Sequence, residues 1–130
     1  MTRINLVDPE LLSDAHLGAE YRELPRAFAL VRAAAERGER PCGPFPKRFT
    51  LGKGHVRFFY PRLGFLVRRY ALLVQECARR GRKVSYPAPP LEGIPGEWFG
   101  GYEPTDADVR LSLNRIEERG GLRRIQQPAN

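Results

Sequence analysis

Residues 58–81 read FFYPRLGFLVRRYALLVQECARRG, and the spacing of apolar side chains in this stretch decides the fold. Leu63, Leu66, Val67, Tyr70, Val74 and Cys77 recur at intervals of three and four, which lines them along one face of an α-helix instead of alternating them across a strand. Pro61 is placed where a first helical turn does not need its missing amide. Arg79 and Arg80 ahead of Gly81 put positive charge and then a permissive backbone at the other end. The stretch predicts a helix that carries Pro61 in its first turn and stops near Gly81.

The same period recurs on both sides. Upstream, Ser13 or Asp14 is placed to cap a segment running to about Gly38, with Leu17, Tyr21, Leu24, Phe28 and Val31 on one narrow face. Pro25 interrupts the backbone bonding of this helix but not its periodicity, so a kink is expected there and not an end. Downstream, in PTDADVRLSLNRIEERGG (104–121), Thr105 and Asp108 have capping-box spacing. Val109, Leu113 and Ile116 form the stripe, and Gly120 and Gly121 stop it. The connectors PCGPFPKRFTLGKGHVRFFYP (41–61) and VSYPAPPLEGIPGEWFGGYEP (84–104) hold too much Pro and Gly for long strands. Their Phe45, Phe49, Phe58, Phe59, Trp98, Phe99 and Tyr102 argue for packed loops, with the FFYP stretch and Trp98 read as core. The expectation is an all-α fold over residues 1–130. It is a compact single domain of three main helices, the first kinked at Pro25, joined by long packed Pro/Gly-rich loops.

Composition bounds the function. A chain of 130 residues with 42% hydrophobic content can bury one modest core. Lys and Arg outnumber Asp and Glu by 22 to 15, a formal +7, which favours polyanionic partners and nucleic acid first among them. No apolar run has the length of a membrane span and the N-terminal region is acidic where a signal peptide would be apolar, so a cytoplasmic protein with no membrane partner is expected. Cys42 and Cys77 read as free thiols. His16 and His55 have no acidic or thiol neighbours at ligand spacing, so no metal site is expected.

The chemistry concentrates in two places, MTRIN at residues 1–5 and HLGAEYRELPR at residues 16–26. Removal of Met1, usual before a small second residue, would leave Thr2 with a free α-amine beside the Arg3 guanidinium. On the first helix, Arg22 and Arg26 lie a turn apart, away from the apolar stripe, and His16 and Glu23 share an adjoining polar strip. Ala19, Ala27 and Ala29 lie among them, leaving room for something large and anionic. Spacing alone favours an ordinary surface pair of Glu23 and Arg26. Arg68, Arg69, Arg79, Arg80, Arg82 and Lys83 suit a DNA backbone or plain solvation.

MTRINL, HLGAEYRELPRAF, LGKGHVRFFYPRLGFLVRR and QECARRG together closely resemble the pyrimidine-dimer DNA glycosylases of the phage endonuclease V type, in register from residue 1 to about Gly81. The resemblance implies an enzyme that excises one base of a cyclobutane pyrimidine dimer and then nicks the strand as an AP lyase. It assigns the nucleophilic α-amine to Thr2, acid–base work to Glu23, and contacts with the lesion and its phosphates to Arg3, His16, Arg22 and Arg26. Arg119, Arg123 and Arg124 are further candidates for phosphate. The implied partner is double-stranded DNA bearing UV lesions or abasic sites, bound by a monomer. An amine of ordinary pKa about 7.7–8.0, against about 10.4 for lysine, holds a useful neutral fraction near pH 7, and cationic neighbours lower it further. No cofactor is expected; GKG at 52–54 lacks P-loop spacing and reads as a turn.

The chain departs from the phage pattern in its final GLRRIQQPAN, which has no aromatic residue, in Ala15 where a Gln is usual, and in the Pro-rich Tyr86–Pro95 segment. These leave open a DNA-binding or AP-lyase-only module of the same fold with a different lesion preference or none. An N-terminal-nucleophile hydrolase using the Thr2 hydroxyl is the reading from another class, and borohydride reduction separates them.

Overall fold

The computed structural model of the protein describes residues 2–123. In chain order its helices are α1 (Asp14–Glu23), α2 (Pro25–Glu36), the single-turn α3 (His55–Phe58), α4 (Leu63–Arg79) and α5 (Asp106–Glu118), with short 3-10 turns at Pro9–Leu11 and Gly96–Trp98. Among the described residues there is no strand, only isolated bridges between Leu12 and Leu122 and between Arg62 and Phe99. The all-α class read from the sequence holds.

The first periodic segment is one helix bent by 19° where α1 passes into α2. Leu24 keeps helical angles of −55° and −41°, and its N–H still reaches the Glu20 carbonyl at 2.9 Å. Pro25 has no N–H to give to the carbonyl one turn behind it, so the axis bends without breaking. Ser13 is the N-cap, its hydroxyl accepting from the His16 amide at 3.2 Å. At the far end Gly38 adopts a φ of 88° and the Glu39 N–H returns to Ala34 O at 3.0 Å. The same closing geometry recurs at Gly81 and Gly120, where Arg82 N–H reaches Cys77 O at 2.9 Å and Gly121 N–H reaches Ile116 O at 2.8 Å. Thr105 and Asp108 form the full reciprocal capping box that starts α5.

One boundary differs from expectation. α4 begins at Leu63 and not at Pro61, because Arg62 has non-helical angles of −125° and 36° and bridges to Phe99. The Pro61 carbonyl accepts from the Gly100 N–H at 3.2 Å. A Cβ on Gly100 would run into that carbonyl, and one on Gly64 would lie 2.8 Å from the Gly100 carbonyl. Two glycines therefore let the second connector cross the start of α4 at backbone contact.

α4 packs on α1 through the core. It supplies Leu63, Leu66, Tyr70, Leu73 and Cys77, which meet Leu17 and Leu24 of α1, Phe28, Val31 and Ala34 of α2 and Ile116 of α5. Leu73, one turn beyond Tyr70, takes a fully buried place, while Val67 and Val74 are only partly covered. Each such leucine contributes about 1.5–3 kcal/mol by leaving water. Phe45, Phe49, Phe58, Phe59, Tyr60 and Trp98 bury the connectors as expected. Arg32 also ties the Pro-rich loop to α2 by donating to the Pro90 and Glu92 carbonyls, both at 2.6 Å.

Two arginines read as surface charge point inward. Arg69 is 4% exposed and forms a fork with Glu20 of α1: Nε to Oε2 at 2.8 Å and Nη2 to Oε1 at 3.0 Å. Arg80 gives Nε to Glu76 at 2.6 Å and Nη1 to Asp14 at 2.8 Å. Both are committed to carboxylates of the chain itself, Glu20 and Glu76 being buried and Asp14 exposed, so neither is free to track a phosphate backbone.

Candidate active site

The N-terminal segment joins no strand among the described residues, and three of its amides are received by side chains. The Ile4 N–H donates to His55 Nε2 at 2.9 Å, the Asn5 N–H to Glu20 Oε2 at 3.3 Å, and the Leu6 N–H to Ser112 Oγ at 3.0 Å. Three consecutive amides are thus received by side chains of α3, α1 and α5. The Asn5 side chain adds a bond to Glu20 Oε1 at 2.8 Å, and the Arg69 guanidinium reaches the Val7 carbonyl. Ile4 and Val7 bury their own side chains. Buried amides must find acceptors, and here these acceptors fix the backbone that leads to Thr2, itself buried, and to the half-buried Arg3.

Those two residues open onto two adjoining recesses. Thr2 and Arg3 line one of about 190 Å³, with Gly52, Gly54, His55, Val56 and Arg57 for walls. Gly52 and Gly54 have φ of 75° and 90°, so the GKG turn expected from the sequence is present and forms the rim of this recess. Arg3 also lines a second cleft of about 200 Å³ with Asn5, His16, Ala19, Glu20, Glu23, Arg115, Ile116 and Arg119. Arg3 is the residue common to both.

The electrostatics of the second cleft are mixed. Burial lowers the Arg3 pKa, the guanidiniums of Arg115 and Arg119 push it further the same way, and Glu23 opposes them. Glu20 is committed to Arg69 and Asn5. Glu23 enters no ion pair among the described residues and is half-buried. The surface pairing of Glu23 with Arg26 that spacing allows is not formed. A half-buried carboxylate facing several guanidiniums, without being tied to one, suits charge stabilisation and proton movement on an anionic ligand.

His16 is held from two sides. Its ring lies 3.4 Å from Ser13 Oγ and packs on Gly121, where a Cβ would come within 2.6 Å of Nε2. Gly121 is further fixed by its carbonyl, which accepts the Ser13 N–H at 2.7 Å.

Of the residues singled out from sequence, the structure brings Arg3, His16, Glu23 and Arg119 together and sets Thr2 in the adjoining recess. Arg22 and Arg26 line neither; both are exposed on the bent helix outside the cleft. A Cβ at Gly18 would lie 3.2 Å from Arg22 Nη1 and 2.5 Å from Arg82 Nη2, so two guanidiniums cover that stretch of α1. Arg123 is exposed and its amide donates to the Leu11 carbonyl at 2.7 Å. Arg124 lies outside the described residues, as does Met1. Sequence reading missed Asn5, Arg115 and Gly121. Arg115 had a signal, its four-residue spacing from Arg119 beside Ile116 on α5; Gly121 had none beyond its part in stopping a helix.

A family profile described as pyrimidine dimer DNA glycosylase matches residues 1–89 of the chain.

Proposed function

The chain belongs to the pyrimidine dimer DNA glycosylases, and from that premise we propose that it is a bifunctional glycosylase and AP lyase acting through the α-amine of Thr2, exposed by removal of Met1. The neutral amine attacks C1′ of the damaged nucleotide. The bond from C1′ to the base nitrogen breaks and the base leaves with that electron pair and gains a proton. Opening of the C1′–O4′ bond gives a protonated imine, which acidifies the 2′ hydrogens. Loss of a 2′ proton forms the C2′–C3′ double bond and expels the 3′ phosphate; water then hydrolyses the imine and releases the enzyme.

Glu23 takes the acid–base part. Its carboxylate stabilises positive charge on the sugar as the base departs and moves the protons that follow. Arg3, His16 and Arg119, joined by Arg115, hold the phosphates at the lesion. Arg22 and Arg26 grip flanking phosphates from the exposed side of the bent helix, with Arg123 and Arg124 further candidates. The observation that carries this reading is that Arg3 belongs at once to the Thr2 recess and to the Glu23 cleft, so nucleophile and carboxylate face one guanidinium.

The test uses protein verified by mass to lack Met1, with UV-irradiated and abasic duplexes and borohydride. Thr2→Ala keeps an α-amine and is expected to retain appreciable activity. Acetylation of the amine is expected to abolish both strand cleavage and the reduced covalent adduct. Full activity of the acetylated protein would reject the mechanism.

A further inference from the structure

In the basic run that ends α4, Arg79 and Arg80 are spent on carboxylates, whereas Arg82 turns back onto α1 and enters no ion pair among the described residues. Its N–H closes α4 on the Cys77 carbonyl at 2.9 Å, and its Nη1 donates to the Asp14 carbonyl at 3.3 Å, so the residue is held at root and tip. The chain just beyond it is held too. The Tyr86 N–H donates to the Tyr21 hydroxyl at 3.0 Å, and the Tyr86 carbonyl accepts from Tyr70.

Arg22 reaches the same spot from within α1. Arg82 Nη2 at 2.5 Å and Arg22 Nη1 at 3.2 Å flank the point that a Cβ on Gly18 would occupy, so it is the missing side chain that lets two guanidiniums lie against the helix. Arg22 likewise enters no ion pair among the described residues, and the carboxylates at this end of α4 are already engaged: Asp14 accepts from Arg80 at 2.8 Å, and Glu76 takes both Arg79 and Arg80. Two like charges brought to one spot repel, and an anion set between them turns that repulsion into attraction.

We propose that Arg82 and Arg22 form a two-arginine clamp over Gly18 for one phosphodiester of the DNA backbone. Gly18 and Arg22 stand four residues apart on α1, on the face beside the one that carries His16, Ala19 and Glu23 into the cleft, so a duplex engaged at the cleft continues onto the clamp. Guanidinium forks match phosphate oxygens in geometry as well as charge. A phosphate held in this way adds affinity and fixes the duplex on the helix, but reads neither sequence nor damage. The clamp rests on the DNA-binding part of the proposed function and not on the amine chemistry; it adds Arg82 to the binding surface and names the neighbour with which Arg22 works.

The experiment uses the full chain with Met1 removed and two duplexes of equal length, one intact and one carrying a tetrahydrofuran abasic analogue, each titrated at several salt concentrations. Arg82→Gln and Gly18→Ala are compared with wild type, and Arg22→Gln with Arg22→Gln/Arg82→Gln completes a double-mutant cycle. Gly18→Ala puts a methyl where the Arg82 guanidinium lies while keeping every charge of the chain. Arg82→Gln is expected to bind both duplexes about tenfold less tightly, with the slope of log affinity against log salt smaller by about 1. Gly18→Ala should stay folded and lose affinity for both duplexes. Removing Arg22 should cost less affinity once Arg82 is gone, as for two groups that share one partner. A folded Arg82→Gln protein with wild-type affinity and salt slope overturns the clamp, as does a folded Gly18→Ala protein that binds like wild type, or a cycle whose losses simply add. Wild-type protein whose affinity for both duplexes ignores salt sinks the DNA-binding reading itself, whereas salt-dependent binding that the variants leave unchanged sinks only the clamp.

Discussion

Replacing Glu20 by Gln tests whether the buried fork beneath the N-terminal segment holds the site together. The carboxylate accepts four hydrogen bonds, from Arg69 Nε at 2.8 Å, Arg69 Nη2 at 3.0 Å, Asn5 Nδ2 at 2.8 Å and the Asn5 amide at 3.3 Å. Its side chain is 1% exposed and that of Arg69 4%, so solvent cannot replace what is lost. Glutamine keeps the shape but turns an NH2 group toward a donor and leaves the guanidinium buried without a counter-charge. Breaking such a pair costs about 3–5 kcal/mol, a large part of the roughly 5–15 kcal/mol that holds a domain folded. At about 3–6 °C per kcal/mol for a chain of this size, the melting temperature should fall by about 10–30 °C. Thermal melts and urea unfolding of wild type, Glu20→Gln, Arg69→Met and the double variant Glu20→Leu/Arg69→Met measure the shift and the free energy. The double variant should recover part of the loss, because no unpaired charge remains while the Asn5 amide and side chain lose their acceptor and the Val7 carbonyl its donor. A Glu20→Gln protein within about 1 kcal/mol of wild type would refute the assignment of this pair as the clamp.

Glu23→Gln should leave folding and affinity for dimer-containing DNA nearly unchanged while cleavage of the glycosidic bond falls by about 10²–10⁴-fold, measured in single turnovers as base freed after photoreversal of the dimer; parallel loss of binding would return Glu23 to a structural role. Gly121→Ala should displace the His16 ring, costing about 1–3 kcal/mol by overpacking and weakening DNA binding in a gel-shift titration, and an unchanged affinity would show that His16 does not contact substrate. The Glu76 carboxyl is held down to about 2, first by hydrogen bonding from Arg79 and then from Arg80 against the opposing effect of burial. Its folded pKa lies below the ordinary 4.5, so its contribution is complete above that value and is lost as pH falls toward 2. Discounted for the exposure of Arg79, that loss is about 1–2 kcal/mol, and urea midpoints between about pH 5 and 3 should drop less in Glu76→Gln than in wild type.

Periodicity carried most of the helical architecture. Leu63, Leu66, Tyr70 and Cys77 repeat cleanly enough to place α4, and Leu24 and Phe28 continue the stripe through Pro25, which distinguished a bend from an end. Local spacing also exposed Thr105 with Asp108, and the glycines that close α2, α4 and α5. Hidden from the sequence were interactions between residues far apart along the chain. Arg69 reads as one of a basic run until Glu20, 49 positions away, is folded against it, and Arg80 meets Asp14 across 66. The start of α4 slipped because Pro61 has a second commitment, to Gly100 in the other connector. At the site, His16 and Glu23 were legible because they share one helix face. The acceptors for Ile4 and Leu6 lie 51 and 106 positions away, and no local pattern announces that a histidine and a serine will receive a buried amide.

In the proposed mechanism the terminal nitrogen of residue 2 makes the covalent bond to DNA. Its most direct test is to reduce the complex of the Met1-free protein and an abasic duplex with borohydride, digest it with protease and nuclease, and sequence the modified peptide by tandem mass spectrometry. The expected product is a deoxyribose-derived adduct on the α-nitrogen of Thr2, in the peptide ending at Arg3. A stable adduct on the side chain of Lys47, Lys53 or Lys83, with the Thr2 nitrogen unmodified, would contradict it.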